Sequence, residues 1–360
     1  MYKLIIFSIV GFFFTNFIVP FINKIGRDNS FFDYPNSRKQ HNKPIVRIGG
    51  LAIIFGWLVT LLIICVFSVI TKKFEFLYDF KVLGYIFSAI IFFLIGFFDD
   101  IKGSSPYLRL FFQFLIASFC FGIGLSIDFS DYNFILSYVD SPLILHLLSY
   151  FFTTFYIVGL TNALNWWDGL DGLAAGVISI SSLFLLIINL NLYGLTISSS
   201  NLLISILIGI SLGFLVHNYK PAKIIMGDGG SYFLGFSLAC LTLINDSSNI
   251  NNVFDDDLSI FFSKLLPLLI SLPLFLDMIK VIFIRLISSK LLVKPDRLHL
   301  HHNLLFLGLT EKKAVNQIYA FVAFINSIPL IISIDKFVSI YIFSSAFVFF
   351  IFTFMNFKNN

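Results

Sequence analysis

The chain has 360 residues, 58% of them hydrophobic and only 12% charged, with a formal net charge of +4. Soluble domains carry about 25% charged residues, so this composition leaves no room for a sizeable soluble domain. The apolar stretches are continuous over about 17 to 25 residues, which excludes transmembrane strands of alternating polarity, and so mild a positive charge, placed in loops, argues against nucleic-acid binding.

In chain order, eleven apolar runs are long enough to cross a bilayer as helices. They lie at about 2–22, 49–70, 82–98, 110–127, 142–160, 173–193, 201–218, 231–245, 263–284, 315–333 and 337–357. The expected fold is therefore all-α: a polytopic membrane protein of about 11 transmembrane helices, forming a single integral membrane domain over 1–360. The first run lacks a cleavage-site pattern and a strongly basic start, so it reads as a retained helix. Cys65, Cys120 and Cys240 all fall inside apolar runs and read as small core residues with no pairing pattern.

Lys and Arg set the expected orientation. The loops after the odd-numbered runs hold most of them, including Arg27, Arg38, Lys39, Arg47, Arg109, Lys220 and Arg297. The opposite loops hold Lys3, Lys72, Lys73, Lys81, Lys264 and Lys336. This bias predicts an external N-terminus and a cytoplasmic C-terminus, with segments 23–48, 99–109, 161–172, 219–230 and 285–314 on the cytoplasmic side. The acidic run Asp255-Asp256-Asp257 falls on the other side and reads as a solvated loop, so Asp255→Asn is expected to be silent.

Each cytoplasmic segment carries a polar cluster. Arg38-Lys39-Gln40-His41, with Pro44 and Arg47, forms a basic loop that suits either phosphate contacts or anionic lipid. Asp99 and Asp100 close the third run. Adjacent carboxylates repel unless a cation or proton lies between them, and the helix dipole disfavours anions at that end; Lys102 offsets some of this cost. In Asn162-Ala163-Leu164-Asn165-Trp166-Trp167-Asp168-Gly169-Leu170-Asp171-Gly172, Asn162 and Asn165 share one side of a turn, as do Asp168 and Asp171. That grouping suits a cation with a phosphate or sugar, or else a polar inter-helix turn. Gly227-Asp228-Gly229-Gly230-Ser231 precedes the eighth run and suits a diphosphate with a divalent ion, or a simple helix cap. Asp277 is a carboxylate inside the ninth run, a functional candidate or a partner for Lys280 or Arg285. His299, His301 and His302 follow Arg297. Zinc is one reading, but no Cys partner or H-E-x-x-H is present, and a cationic grip on phosphate fits the basic loop better. Together these groups are the equipment of metal-assisted phosphoryl transfer.

The chain resembles the polyprenyl-phosphate N-acetylhexosamine-1-phosphate transferases, bacterial membrane enzymes related to the phospho-N-acetylmuramoyl-pentapeptide transferases. The motifs that carry the resemblance are R-K-Q-H with P-I-V-R-I-G-G at 38–50, D-D-I-K-G at 99–103, N-A-L-N-W-W-D-G-L-D-G-L-A-A-G at 162–176, G-D-G-G-S-Y-F-L-G-F at 227–236 and P-D-R-L-H-L-H-H at 295–302. The last form is similar to the GlcNAc-1-phosphate transferase branch. The resemblance implies transfer of a HexNAc-1-phosphate, with GlcNAc-1-phosphate foremost, from a UDP-sugar to undecaprenyl phosphate, with UMP released. It implies Mg²⁺, or Mn²⁺, as cofactor and the bacterial inner membrane as location, with the active site on the cytoplasmic face and a second copy of the chain as a candidate partner. By position it implies catalytic roles for Asp99, Asp100, Asp168, Asp171 and Asp228, and metal binding by Asp228, Asp168 and Asn165. Substrate contacts fall to Lys39, His41, Asn162, Asn165, Arg297, His299, His301 and His302. Asp99 and Asp100 are expected at the acceptor phosphate. Trp166-Trp167 departs from the family's smaller aliphatic residues, beside Asp168.

An ion-coupled transporter is the main rival, but a carrier places its polar groups near the membrane midplane, whereas here they gather at one face. A CDP-alcohol phosphotransferase needs an Arg shortly after the first Asp-Gly, and no Arg or Lys follows Asp168 until Lys220. A non-catalytic lipid-phosphate-binding paralogue would not require the full carboxylate set.

Overall fold

The structure, a computed structural model, describes residues 2–35, 43–71, 79–131, 133–136, 138, 139, 141–194, 198–244, 265–288 and 298–333. Lys39, His41, Arg297, Asp255–Asp257 and the last predicted run lie outside the described residues.

Among the described residues, eleven α-helices of seven residues or more carry the fold: α1 (Tyr2–Asp28), α2 (Gly50–Ile70), α3 (Phe80–Lys102), α4 (Pro106–Gly122), α5 (Pro142–Trp167), α6 (Leu173–Tyr193), α7 (Ser199–Asn218), α8 (Gly227–Leu243), α9 (Leu272–Ile287), α10 (Leu300–Phe306) and α11 (Glu311–Ser333). A two-residue antiparallel pair, β1 (Phe32–Asp33) with β2 (Ile45–Val46), bridges α1 and α2. Ten of the eleven apolar runs are thus helical, and the molecule is a multi-pass, all-α membrane protein. Seven of these helices, α1, α2, α3, α5, α6, α7 and α11, are long and apolar enough to cross a bilayer on their own.

Local chemistry explains several boundaries. Asp79 caps α3 by accepting from the Lys81 and Val82 amides, and Ser198 caps α7 through the Asn201 amide. Pro106 and Pro142 stand in the first turns of α4 and α5, where a missing N–H costs nothing. Two boundaries differ from the sequence expectation. The ninth run is broken: 265–269 are helical, a turn follows at Ile270 and Ser271, and α9 begins only at Leu272, with Pro273 in its first turn. The Gly227–Ser231 motif is the first turn of α8 and not a loop before it.

α8 is the axis of the molecule. All but one of its residues are buried, and it packs against α2, α3, α5, α6 and α7. Its small residues, among them Gly230, Ser231, Gly235, Ser237 and Ala239, let neighbouring backbones come close, which is how helices associate where lipid removes the hydrophobic drive. Several hydroxyls inside the bundle bond back to their own helix, as when Thr60 donates to the Gly56 carbonyl at 2.7 Å. From α1 to α8, successive helices alternate in direction. The C-terminal ends of α1, α3, α5 and α7 therefore meet the N-terminal ends of α2, α4, α6 and α8 at one end of the bundle. Asn23 reaching the Lys223 carbonyl and the Gly172 amide reaching Asn218 mark that end.

Candidate active site

The chain before α2 lies beside the chain before α8. The Ile225 amide donates to the Val46 carbonyl, and the Gly49 and Gly50 amides donate to the Ile225 and Met226 carbonyls. This pairing delivers Arg47 to the first turn of α8. Its Nε lies 3.0 Å from Asp100 Oδ1 and its Nη2 lies 3.1 Å from Asp228 Oδ1. Burial works against the charged guanidinium, but Asp228, Asp100 and Asp33 outweigh it and hold Arg47 more firmly protonated than usual.

α8 starts without a side-chain cap of its own. Asp100, at the end of α3, supplies one: its oxygens accept the Asp228 and Gly229 amides at 2.9 Å each. The helix dipole that disfavours Asp100 on α3 is thus offset by the positive end of α8. Asp99 accepts from the amide and hydroxyl of Ser104 at 2.6 and 2.7 Å. Arg109, in the first turn of α4, donates to Asp99 and, at 2.9 Å, to Asp228. Asn165 donates to Asp228 Oδ1 at 3.1 Å and to the Ser231 hydroxyl at 2.9 Å.

Asp228 is therefore the hub, touched by Arg47, Arg109 and Asn165. Asp168 is different. Among the described residues its carboxylate has no hydrogen-bond or ion-pair partner, although Asp228 and Asp100 lie near enough for their charges to act. Burial, and then those two carboxylates, push the Asp168 carboxyl well above the usual range against the pull of Arg47. Asp99, Asp100, Asp168 and Asp228 together face Arg47 and Arg109: four carboxylates against two guanidiniums. An excess of anionic oxygen donors is the donor set of a hard divalent cation. Among the described residues no three Asp, Glu, His or Cys side chains already converge on one point.

Asp171 stands apart. It accepts the Ala222 amide at 2.9 Å and lies 3.3 Å from Lys220, which also pairs with Glu311. A second cavity, of about 460 Å³, touches this side of the turn and is lined by Arg27, Lys43, Lys220 and Lys223 with Asp171. Asn162 donates to Gln113 at 2.7 Å, tying α5 to α4.

The histidines stand on the opposite wall. His299 and His301 are buried with their rings parallel, centroids 5.7 Å apart, and His301 stands 4.2 Å from His302. A methyl group on Gly169 would lie 2.7 Å from His301 Nε2, so the Asp168-Gly169 step is glycine where the imidazole needs the space. Burial, with the His302 and His299 charges, lowers His301 to about 3 from an ordinary 6.5. Below pH 6.5 an unfolded chain takes up a proton there that the folded one does not, so stability falls with pH between 6.5 and 3. Detergent-solubilised protein is expected to melt lower at pH 5 than at pH 7.5, and His301→Gln to show less of that drop; an equal drop in both removes this origin.

A cavity of about 1030 Å³ opens from the polar centre. Arg109, Asn165, Asp228, Trp166 and the three histidines line one end. The rest runs between α4, α5 and α9 past Leu110, Phe114, Phe152, Phe155, Leu268 and Phe275. Trp166 stands at the junction, with its ring 5.4 Å from that of His299 and the Arg285 guanidinium 5.1 Å from the indole.

The structure thus brings together Asp99, Asp100, Asn165, Asp168, Asp228 and, across the cavity mouth, His299, His301 and His302. It sets Asp171 on the neighbouring cavity. In the sequence Arg47 reads as part of a basic loop suited to phosphate or anionic lipid, not as a partner of Asp100 and Asp228, and Arg109 reads only as loop charge. A signal for Arg109 existed: α3 stops at Lys102, Pro106 opens the next helix, and a cation three residues further on is returned to the carboxylates it has just left.

Fold and site define a multi-pass helical membrane protein whose carboxylate–guanidinium centre opens onto an apolar groove. Residues 82–246 match the family model described as glycosyl transferase family 4. The chain is 31% identical, over 92% of its length and 85% of the relative's, to the probable undecaprenyl-phosphate N-acetylglucosaminyl 1-phosphate transferase of Bacillus subtilis. It is 29% identical, over 81% of its length and 74% of the relative's, to the decaprenyl-phosphate N-acetylglucosaminephosphotransferase of Mycobacterium leprae. It is also 36% identical, over 43% of its length and 47% of the relative's, to the phospho-N-acetylmuramoyl-pentapeptide-transferase of Streptococcus uberis. The chain belongs to the polyprenyl-phosphate N-acetylhexosamine-1-phosphate transferases of glycosyl transferase family 4, and is a membrane phosphotransferase.

Proposed function

We propose that this protein transfers a HexNAc-1-phosphate, GlcNAc-1-phosphate foremost, from a UDP-sugar to undecaprenyl phosphate. A lipid phosphate oxygen attacks the phosphorus bonded to the sugar, the bond between the two donor phosphates breaks, and UMP leaves with that electron pair. The observation that carries this reading is the continuity of polar centre and groove: one cavity joins Asp228, Asn165 and Arg109 to a long apolar channel between α4, α5 and α9. Its shape and chemistry suit a phosphate head on an isoprenoid tail. The names of the relatives point to the same acceptor class.

In this reading Asp168, Asp228 and Asn165 hold Mg²⁺, or Mn²⁺. When bound, the ion supplies charge neutralisation and orientation for the phosphate oxygens. Arg109 and Arg47 hold Asp228 in place and add positive charge beside the transferring phosphoryl group. Asp100 acts through the backbone it caps, while Asp99 holds Arg109. A lipid phosphate is already ionised near neutral pH, so it needs little help from a base and direct attack is the simpler route. His299, His301, His302 and Arg297 grip the donor diphosphate or sugar. The basic cavity beside Asp171 receives the nucleotide end, and Lys39 and His41 contribute phosphate contacts. The site faces the cytoplasm of a bacterial inner membrane, as the Lys and Arg bias of the loops indicates.

The test is a transfer assay with purified protein, undecaprenyl phosphate and Mg²⁺, offering UDP-GlcNAc, UDP-GalNAc and UDP-MurNAc-pentapeptide separately. UMP release from one amino sugar, abolished by EDTA and restored by added Mg²⁺, is the expected result. EDTA-resistant release would remove the metal, and no release from any donor would remove the reaction.

A further inference from the structure

Asp277, on α9, is a buried carboxylate to which the reaction above assigns no part. Only 5% of it is exposed. Its Oδ2 accepts from the Trp167 indole N–H at 2.9 Å and from His299 Nδ1 at 2.8 Å, and its Oδ1 accepts the Leu300 amide at 2.8 Å. One turn along α9, Lys280 donates to the Leu298 carbonyl at 3.1 Å. α9 therefore grips three successive residues, Leu298, His299 and Leu300, from one face.

Two consequences follow from elementary chemistry. A carboxylate only accepts, so His299 Nδ1 must carry the proton that it shares, and Nε2 is the nitrogen left for the groove that His299 lines. α10 has no side-chain cap of its own at His299, so its first amide is satisfied from α9. The third bond ties the same carboxylate to Trp167, the residue before Asp168. One side chain thus spans the two walls of the polar centre.

We propose that Asp277 is a positioning residue, which fixes the His299 ring and the start of α10 against the turn that carries Asp168. The inference rests on the transferase reading, because that reading puts His299 at the donor.

The experiment is a double-mutant cycle in the transfer assay. Asp277→Asn keeps volume and an acceptor for the Leu300 amide, but its own N–H faces His299 Nδ1 and forces the ring proton to Nε2. Turnover is expected to fall about 10–100-fold, as when the outer partner of a site histidine is changed. Asp277→Asn combined with His299→Ala is expected within about 2-fold of His299→Ala alone, because one acts through the other. Losses that multiply would overturn the inference while leaving the transferase reading standing. Trp167→Phe removes one bond and keeps the fold's bulk, and a loss smaller than that of Asp277→Asn is expected. A second readout needs no turnover: amide hydrogen exchange over 298–306 is expected to speed up in Asp277→Ala, which removes the acceptor of the Leu300 amide, and exchange unchanged from wild type would overturn the inference. Wild-type protein that releases no UMP removes the transferase reading, and the exchange result then judges Asp277 alone.

Discussion

Asp228→Asn is expected to remain in the membrane and to lose turnover by about 100-fold or more, the scale of removing a principal electrostatic group from a preorganised site. The substitution keeps the shape of the side chain. It removes one negative charge and one acceptor from the point where Arg47, Arg109 and Asn165 converge. The amide also turns an N–H toward at least one of those donors. If Asp228 holds the metal, the residual activity should need more Mg²⁺ for half-saturation than the wild type. A variant with full turnover would sink the metal assignment. A variant with low turnover but an unchanged Mg²⁺ requirement would reduce Asp228 to an anchor for the two arginines.

Gly96→Ala is expected to lower both stability and turnover, although it lies outside the polar centre. Gly96 lies on α3 where that helix crosses α8, and a methyl group there would run into the Asp228 carbonyl and the Gly229 amide. The obstacle is backbone, so no rotamer change relieves it. Either α3 or the first turn of α8 must move. Overpacking of this kind costs about 1–3 kcal/mol. Because the displaced turn carries Asp228 and receives the cap from Asp100, a shift of about 1 Å there is expected to cost about 100-fold in turnover. Gly122→Ala is the control: nothing lies within 4 Å of a methyl group at that position. Thermal unfolding and turnover of Gly96→Ala matching those of Gly122→Ala would mean that the α3–α8 crossing is looser than described.

Much of the site was legible before any coordinates. Asp99, Asp100, Asp168 and Asp228 stood out because carboxylates at the edges of apolar runs are costly unless they serve a purpose. The Arg and Lys bias of the loops placed them on one side. Their division of labour was not legible. Asp99 and Asp100 look equivalent as neighbours at a helix end, yet Asp100 caps a helix 128 positions away and Asp99 anchors Arg109. A helix cap at Gly227–Ser231 is one reading of the sequence, and a cap is found there, but Asp100 supplies it from another helix. Asp277 was visible as an anomaly, with Lys280 or Arg285 as expected partners. Lys280 lies 3.9 Å away, and the short bonds go to Trp167 and His299. Trp166-Trp167, met in the sequence as an unusual pair, divides its duties: Trp167 is buried on Asp277 while Trp166 lines the mouth of the groove.

The sequence by itself determined that this is a helical membrane protein of the family its motifs resemble. Apolar length and backbone self-satisfaction are properties of a single segment, and a helix needs no partner to be required in lipid. It also determined which residue types would gather at one membrane face, because the order of spans and the loop charge suffice for that. Only the tertiary structure decided which carboxylates are spent on helix ends and arginines and that Asp168 has no hydrogen-bond or ion-pair partner among the described residues. Only it showed that α4, α5 and α9 leave an apolar channel open to Asp228. A hydrogen bond or a groove wall is set by contacts of about 3–4 Å between segments far apart in the chain, and no periodicity along one segment records who its neighbour will be.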